Sequence, residues 1–460
     1  MKYYLLNPFI GRVLLVVLLD GLCFLAAGAL TWQYLKPDFT PLEYSAGVAA
    51  GGLVSFVSLY YCDVYSPRVL CSLRRSIPAI VCATGISFVA ATVCGFAFST
   101  TAKTIPIVAH IAGIYFGLLF LDRSLFRLVS SNQRFTQRVL VIGASELGSA
   151  IAETMRQHPN FGYELVGFLS DEADYSFAGA SISGFPILGR VHKIEKIVDT
   201  LKITRIVVAS RNREEYFPAE ALLSWKMAGI PVESGVSFFE RVSGKIYLDD
   251  LRASYLIFAD GFYVGPVSEA LTRVIDATVS GIALLLASPV ILACAVAIKL
   301  ESKGPVFYRQ VRVGKGNKPF EILKLRSMRE DAEKKTGPVF ANQQDDRITA
   351  VGRLLRKSRL DEVPQLWNVL RGEMSLVGPR PERPEFVASL STRYPHFRLR
   401  SSVKPGVTGW AQIRYGYVNE ENGFVEKLAY DLYYMKYRSV SMDLLVLWQT
   451  VKTVVLFRGL

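Results

Sequence analysis

The chain reads as a membrane α plus α/β protein. It combines four transmembrane helices, a Rossmann-like parallel-sheet domain, and an α/β domain anchored by a re-entrant helix. Three observations predict this class. Four apolar stretches, at 10–30, 44–61, 77–98 and 105–121, are each close to the roughly 20 residues a spanning helix needs. After Arg138, strand-like and helix-like segments alternate, the pattern of a parallel sheet covered by helices. A fifth apolar segment, 274–300, is interrupted near its middle by Ser288-Pro289. The expected boundaries are 1–135, 136–262 and 263–460. A length of 460 residues suits two or three such domains. The 51% hydrophobic content, with only 20% charged residues, suits a membrane protein carrying water-soluble parts.

The loops between the first four stretches sort by charge. Arg68, Arg74 and Arg75 lie between the second and third, and Arg123, Arg127, Arg134 and Arg138 follow the fourth. The first and third connections hold little beyond Lys36 and Lys103. The positive-inside rule then puts the N-terminus and the chain after Leu121 on the cytoplasmic side of an inner membrane. The first apolar run is too long for a cleavable signal and further spans follow it. Asp20, inside the first span, is expected either to be functional or to face water or lipid headgroups near a helix end. Cys23, Cys62, Cys71, Cys82, Cys94 and Cys294 lie in or beside apolar segments without CxxC spacing. They read as small buried hydrophobes, not a disulfide or zinc set. The scattered His110, His158, His192 and His396 argue against a histidine metal site or a Ser/His triad.

In the middle domain, strands are expected at 139–143, 164–169 and 205–209, with helices at 147–157 and 191–201. The turn Gly143-Ala144-Ser145-Glu146-Leu147-Gly148 follows the first strand as a dinucleotide loop would. Ser145 stands where the middle glycine of GxGxxG belongs, and Glu146 would repel a pyrophosphate. A vestigial or regulatory Rossmann-like domain is the better reading.

Basic residues flank both ends of the fifth apolar segment: Arg273 before it, and Lys299, Lys303, Arg309 and Arg312 after. A crossing helix would send the rest of the chain to the opposite face. A helix that dips in, turns at Ser288-Pro289 and returns keeps both ends on one side. Proline removes a backbone donor there, and serine can re-satisfy the freed groups. The chain's last helix, near 442–457, has a broad apolar face with Lys452 and Arg458, and reads as interfacial.

The formal charge of +13 implies an anionic partner. Nucleic acid is not expected, because the basic residues flank hydrophobic segments instead of forming a solvent-facing stripe. The densest chemistry is the adjacent pair Asp361-Glu362. It lies between the basic run Arg353, Arg356, Lys357, Arg359 and a second stop, Gly378-Pro379-Arg380-Pro381. Pro364 and the apolar residues after it predict that the pair opens a helix. Two carboxylates ringed by arginines suit a phosphate and a hard metal ion. A surface acidic pair capping a helix is the plainer alternative.

Ordered motifs then converge on one family. They include Arg273-Val274-Ile275-Asp276 at membrane entry, the Ser288-Pro289 break, and Gly304-Pro305-Val306-Phe307-Tyr308-Arg309-Gln310. They continue with Lys324-Leu325-Arg326-Ser327-Met328, then Asp361-Glu362-Val363-Pro364-Gln365-Leu366-Trp367-Asn368, and the stretch from Ser375 to Pro381. The last is Lys404-Pro405-Gly406-Val407-Thr408-Gly409-Trp410-Ala411-Gln412. In these the chain resembles the long-form bacterial polyprenyl-phosphate hexose-1-phosphate transferases, monotopic phosphoglycosyl transferases that start exopolysaccharide, capsule or O-antigen synthesis. Glu240 to Ile246 resembles the subset linked to exopolysaccharide export.

The resemblance implies that a UDP-sugar donates its sugar phosphate to a membrane polyprenyl phosphate, releasing UMP. It makes Asp361 the nucleophile of a covalent intermediate and Glu362 a magnesium ligand that assists the acceptor, with Asp361 sharing the Mg2+ ion. Arg380 is the first candidate for donor-phosphate contact, followed by Arg326 and Lys324, with Gln365 also near the substrate. Nearby arginines are expected to keep Asp361 ionised. Arg273 and Asp276 would pair with each other or receive the polyprenyl phosphate. Gly406 and Gly409 would shape a loop, and Ser288 and Pro289 would be structural. A homodimer is one option for its assembly. Two alternatives compete: a membrane-bound nucleotide-sugar dehydratase, for which a proper glycine fingerprint and a Tyr-x-x-x-Lys pair are lacking, and a non-catalytic scaffold of polysaccharide assembly.

Overall fold

The computed structural model describes residues 8–35, 39–70, 72–98, 104–130, 136–157, 162–170, 180–210, 218–249, 251, 253–329, 347–415 and 421–455. Lys36, Cys71, Lys103, Arg134 and His158 lie outside the described residues, as do the side chains of Arg68 and Cys94 and the end of the last expected helix. The chain separates into two compact units, one within 2–243 and one spanning 244–460.

The first unit begins with α1 (Pro8–Leu35), α2 (Pro41–Tyr61), α3 (Leu73–Phe98) and α4 (Thr104–Ser130). All four are long and apolar enough to cross a membrane, as is a fifth helix, Pro266–Glu301, in the second unit. Helix α2 starts where Thr40 and Glu43 form a reciprocal capping box that satisfies two otherwise orphaned amides. Asp20 of α1 does not face headgroups. It is 2% exposed, and Arg123 of α4 clamps it with two hydrogen bonds, of 3.0 and 2.7 Å. Asp122 bonds the same guanidinium. A buried carboxylate needs such a partner, because desolvation without one is very costly. The cysteines also depart from expectation. Cys82 is exposed on α3, and Cys23, Cys62 and Cys294 are only half-buried, the first two packed at the edge of one apolar cluster and Cys294 at the edge of another.

The same unit continues as an α/β sheet: β1 (Gln137–Ile142), α5 (Glu146–Gln157), β2 (Tyr163–Ser170), β3 (Ser181–Ile182), β4 (Phe185–Arg190), α6 (Ile194–Thr200), β5 (Arg205–Val208), α7 (Ala219–Met227), β6 (Val232–Ser234) and α8 (Gly235–Ser243). The strand order is β3-β4-β2-β1-β5-β6, with every pairing parallel except β3 with β4. Each strand expected from the sequence, and the helix at 147–157, is present within a residue or two, while the helix expected at 191–201 opens as a 3-10 turn at Val191–Lys193 before α6. β3, β4 and β6 come in addition; they are short, or interrupted by Pro186 and Gly189, and show no clear alternation. Leu140, Ile142, Leu169, Ile206 and Val208 pack beneath Ile194 and Val198 of α6.

The second unit holds α9 (Pro266–Glu301), the antiparallel hairpin β7 (Phe307–Val313) and β8 (Pro319–Leu325), α10 (Ala350–Lys357), α11 (Gln365–Arg371), β9 (Ser375–Val377), α12 (Pro384–Arg393), β10 (Gly406–Thr408), α13 (Trp410–Arg414), α14 (Glu421–Lys436) and α15 (Val440–Val455). β9 and β10 pair in parallel. The core gathers Val369, Met374, Leu376, Trp410, Leu432, Tyr434 and Val446. Helix α15, expected to lie at an interface, buries Met442 and Val446 in this core and leaves Leu444, Trp448 and Val451 exposed.

Helix α9 stays helical through Ser288-Pro289, where the sequence predicts a turn. Pro289 cannot donate to the carbonyl of Leu285, and the Ser288 hydroxyl donates to that oxygen instead at 2.8 Å.

Candidate active site

The acid pair does not open a helix. It forms the 3-10 turn Leu360–Glu362, entered through Arg359 in a left-handed conformation (φ 59°), and α11 starts only after Pro364. A non-glycine residue at positive φ is uncommon and strained. Here it reverses the chain after α10 and turns both carboxylates toward the β7–β8 hairpin and the Arg380 segment.

The two carboxylates have opposite surroundings. Glu362 is tied on both oxygens. Arg380 Nη2 and Lys324 Nζ donate to Oε1 at 2.6 and 3.1 Å, and Arg359 Nη1 reaches Oε2 at 3.5 Å. Burial alone would raise its pKa, but the Arg380 and Lys324 charges hold the carboxylate well below its ordinary value. Asp361 is 8% exposed and makes no hydrogen bond or ion pair among the described residues. Burial and the neighbouring Glu362 charge push its pKa up to about 6, against the opposing pull of Lys324, Arg356 and Arg380. The arginines thus serve Glu362 first, and Asp361 is left a largely buried carboxylate with a raised pKa. One turn on, Gln365 is 1% exposed and its Nε2 has no partner.

The residues around the pair are held by close backbone packing. A Cβ on Gly406 would stand 2.1 Å from Gly378 N, so β9 and β10 approach this closely only with glycine there. That approach sets the start of the Gly378-Pro379-Arg380 segment. Arg400 supports it from behind, donating to the Arg380 carbonyl at 3.1 Å while its Nε bonds Asp431 at 2.7 Å. Asn368 joins α11 to β8 by accepting from Leu323 N at 3.1 Å and donating to Glu321 O at 2.7 Å.

Lys324, Gln365 and Arg380 therefore gather at the acid pair, as expected, and three other candidates do not. Arg326 spends its guanidinium on the end of α9, donating to Lys303 O and Ser302 O, both at 2.8 Å, and to Ser302 Oγ at 2.9 Å. It is a strut for the helix terminus, where such carbonyls lack partners. Arg273 and Asp276 do not pair with each other. Arg273 donates to Val369 O and Leu370 O, each at 2.6 Å. Asp276 accepts from Ser375 Oγ at 2.8 Å and Leu376 N at 2.9 Å. The sequence did not single out Arg359 or Arg400 for these positions. Nothing in a single sequence marks an arginine as left-handed or as a brace for another residue's backbone.

The pair also fits a magnesium ion. Among the described residues no three His, Cys, Asp or Glu side chains cluster as a cage. Magnesium commonly takes one or two carboxylates and completes its shell with water and substrate phosphate. The Gly143–Gly148 turn, in contrast, does not fit a pyrophosphate. Ser145 Oγ accepts from Gly148 N at 3.2 Å and donates to Ala209 O at 2.6 Å, so the turn caps its own helix, and Glu146 adds negative charge in the first turn.

Residues 267–457 match the family model described as bacterial sugar transferase, and residues 61–215 match one described as CoA-binding domain. The Ser145 and Glu146 arrangement does not suit the coenzyme that the second description names. A UDP-N-acetylgalactosamine-undecaprenyl-phosphate N-acetylgalactosaminephosphotransferase of Aeromonas hydrophila is 41% identical over 228 residues, 50% of this chain and 53% of that protein. The match thus spans about half the length of that relative. A UDP-glucose:undecaprenyl-phosphate glucose-1-phosphate transferase of Klebsiella pneumoniae is 31% identical, covering 71% of this chain and 69% of the relative. A protein of the same description from Escherichia coli K12 is 30% identical, covering 70% and 68%.

Proposed function

This chain belongs to the bacterial sugar transferases as a long-form phosphoglycosyl transferase, and from that premise we propose that it moves a sugar 1-phosphate from a UDP-sugar to undecaprenyl phosphate. One observation carries the reading: Asp361 is a buried carboxylate without a partner, beside a Glu362 whose charge is already balanced by Arg380 and Lys324.

An oxygen of Asp361 attacks the phosphorus that bears the sugar. A bond forms between that oxygen and phosphorus, the bridging P–O bond breaks, and UMP leaves with the bond's electron pair. A phosphate oxygen of undecaprenyl phosphate then attacks the same phosphorus. The Asp361–phosphorus bond breaks, the lipid-linked diphosphate sugar departs, and the carboxylate is regenerated. Splitting the exchange into two displacements makes each easier. Little acid–base work is needed, because phosphoryl transfer depends mainly on position and charge. Arg380 and Lys324 hold the donor phosphates, sharing them with Glu362, and the Gln365 amide offers a buried N–H for a phosphate or sugar oxygen. Asp361 and Glu362 would be the protein ligands of Mg2+, which supplies charge neutralisation on the diphosphate.

The reading includes a hairpin in the inner membrane, with the first four helices spanning and the sites on the cytoplasmic face. Support comes from how α9 is held. Its first half is fastened through Arg273 and Asp276, and its second half through Ile298 and Arg326, to the same unit. If α9 were straight, those fastenings would lie roughly 37 Å apart. Between Ser280 and Ile298 no residue is buried. A helix laid across the unit would bury its middle; a bent one, with its tip at Ser288-Pro289 in lipid, does not. The product would be the first lipid-linked intermediate of an exopolysaccharide or O-antigen.

The relatives' names differ in the sugar, so the test uses a panel of UDP-sugars with undecaprenyl phosphate in membranes. Wild type releases UMP with at least one sugar and shows a phosphosugar adduct by intact mass. Asp361→Asn lowers UMP release by about a thousandfold or more and abolishes the adduct. Retention of either by the variant would sink the assignment.

A further inference from the structure

A second group of cations stands at the opposite end of α11 from the acid pair. Gly372 ends α11 in a left-handed conformation (φ 81°), where glycine is the favoured residue. A Cβ built there would lie 3.6 Å from Arg273 Nη2 and 3.7 Å from Lys404 Nζ, so both cations face one point beside the glycine backbone. Arg273 is partly committed to the carbonyls of Val369 and Leu370. Lys404 is half-buried and has no hydrogen bond or ion pair among the described residues.

The nearby acids do not neutralise it. Both Asp276 oxygens are taken by Ser375 and Leu376. Glu269 pairs with Lys315 at 3.8 Å, and that lysine adds a further positive charge to the group. Burial, and then the Arg273 and Lys315 charges, hold the Lys404 ammonium below its ordinary pKa. A half-buried ammonium without a protein partner is costly, and an anion offsets that cost. The place defines which anion. Glu269, Thr272 and Arg273 lie on α9 just before its apolar run, the level at which headgroup phosphates sit.

We propose that Lys404, together with Arg273, binds a membrane-borne phosphate, carried either by the polyprenyl acceptor or by an anionic phospholipid. The acceptor arm rests on the transferase reading. The site is a reception point and not the place of reaction, because α11 separates it from Asp361.

The test uses full-length protein in phosphatidylcholine nanodiscs, with undecaprenyl phosphate titrated in one arm and phosphatidylglycerol included or omitted in the other. If the acceptor is the ligand, Lys404→Gln raises the KM for undecaprenyl phosphate about tenfold. If phospholipid is the ligand, the variant loses the wild-type response to phosphatidylglycerol and keeps its acceptor KM. Lys404→Arg restores wild-type behaviour in either case. The burst of UMP from the first displacement stays unchanged, which also reports an intact fold. A variant indistinguishable from wild type in both arms, or one with a slowed UMP burst, overturns the proposal. If wild type releases no UMP with any donor, the transferase reading fails by itself. Native mass spectrometry of undecaprenyl phosphate or phosphatidylglycerol retained by wild type and by Lys404→Gln then still tests the site.

Discussion

Two turns in this molecule lead from a polar loop into a helix and invite a phosphate, and they differ in what they leave unsatisfied. At Gly143–Gly148, Ser145 accepts from the amide of Gly148 and donates to Ala209 O, so the turn closes on itself. At Leu360–Glu362, Glu362 collects Arg380, Lys324 and Arg359, while Asp361 and the Gln365 amide are buried without partners. Buried polar groups without partners cost stability, so a fold retains them where a ligand or reaction uses them. The lesson is that these two turns differ less in loop shape than in the polar groups that the protein itself fails to satisfy.

Arg380→Gln should weaken the comparison's active side most among the supporting residues. It removes a contact to Glu362 and the cation proposed for the donor phosphates, and kcat/KM for the UDP-sugar should fall about a hundredfold. Arg326→Gln is the matching control. Its partners are carbonyls at the end of α9, so the donor KM should stay within about threefold while the melting temperature drops. Equal losses in kcat/KM would mean that both arginines serve the donor.

Glu362→Gln sharpens the comparison through pH. On the proposed mechanism Asp361 is ionised when it attacks, so wild-type UMP release should decline as pH falls through about 6. Removing the Glu362 charge removes a cause of the raised pKa, and that acid limb should move to lower pH. A limb that stays in place would mean that another group controls it. The smallest effect belongs to the closed turn. Ser145→Ala should cost about 1 kcal/mol of stability, read by thermal unfolding, and leave transfer within about twofold. A rise in wild-type melting temperature with added coenzyme A would break the contrast between the turns.

Much of this architecture is legible in the sequence because it depends on local pattern. The apolar runs and the β1–α5–β2 unit announce themselves through periodicity or residue chemistry, whereas the turn read from Ser288-Pro289 is continuous helix. Lys324, Gln365 and Arg380 were legible as neighbours of the acid pair through the motifs they share with a known family. What was hidden depends on distance in space. Asp20 and Arg123 are 103 residues apart in sequence, and nothing local says that they meet. Arg326 and Arg380 look equivalent as flanking cations until the carbonyls of α9 claim one of them. The left-handed Arg359 went unforeseen because the usual residue signals for positive φ, glycine and asparagine, are absent there.

Helix α9 also explains why this enzyme would resist conversion to a soluble form. Excising the helix would remove more than lipid attachment. The carbonyls of Val369 and Leu370 would lose their Arg273 donors, Leu376 N and Ser375 would lose Asp276, and the buried Arg326 would lose the carbonyl of Ile298 and the helix end it braces. All of these losses fall within a few residues of the acid pair or of the segments that carry it. The helix is therefore part of the frame around the acid pair, and a truncated domain should lose stability as well as its apolar anchor.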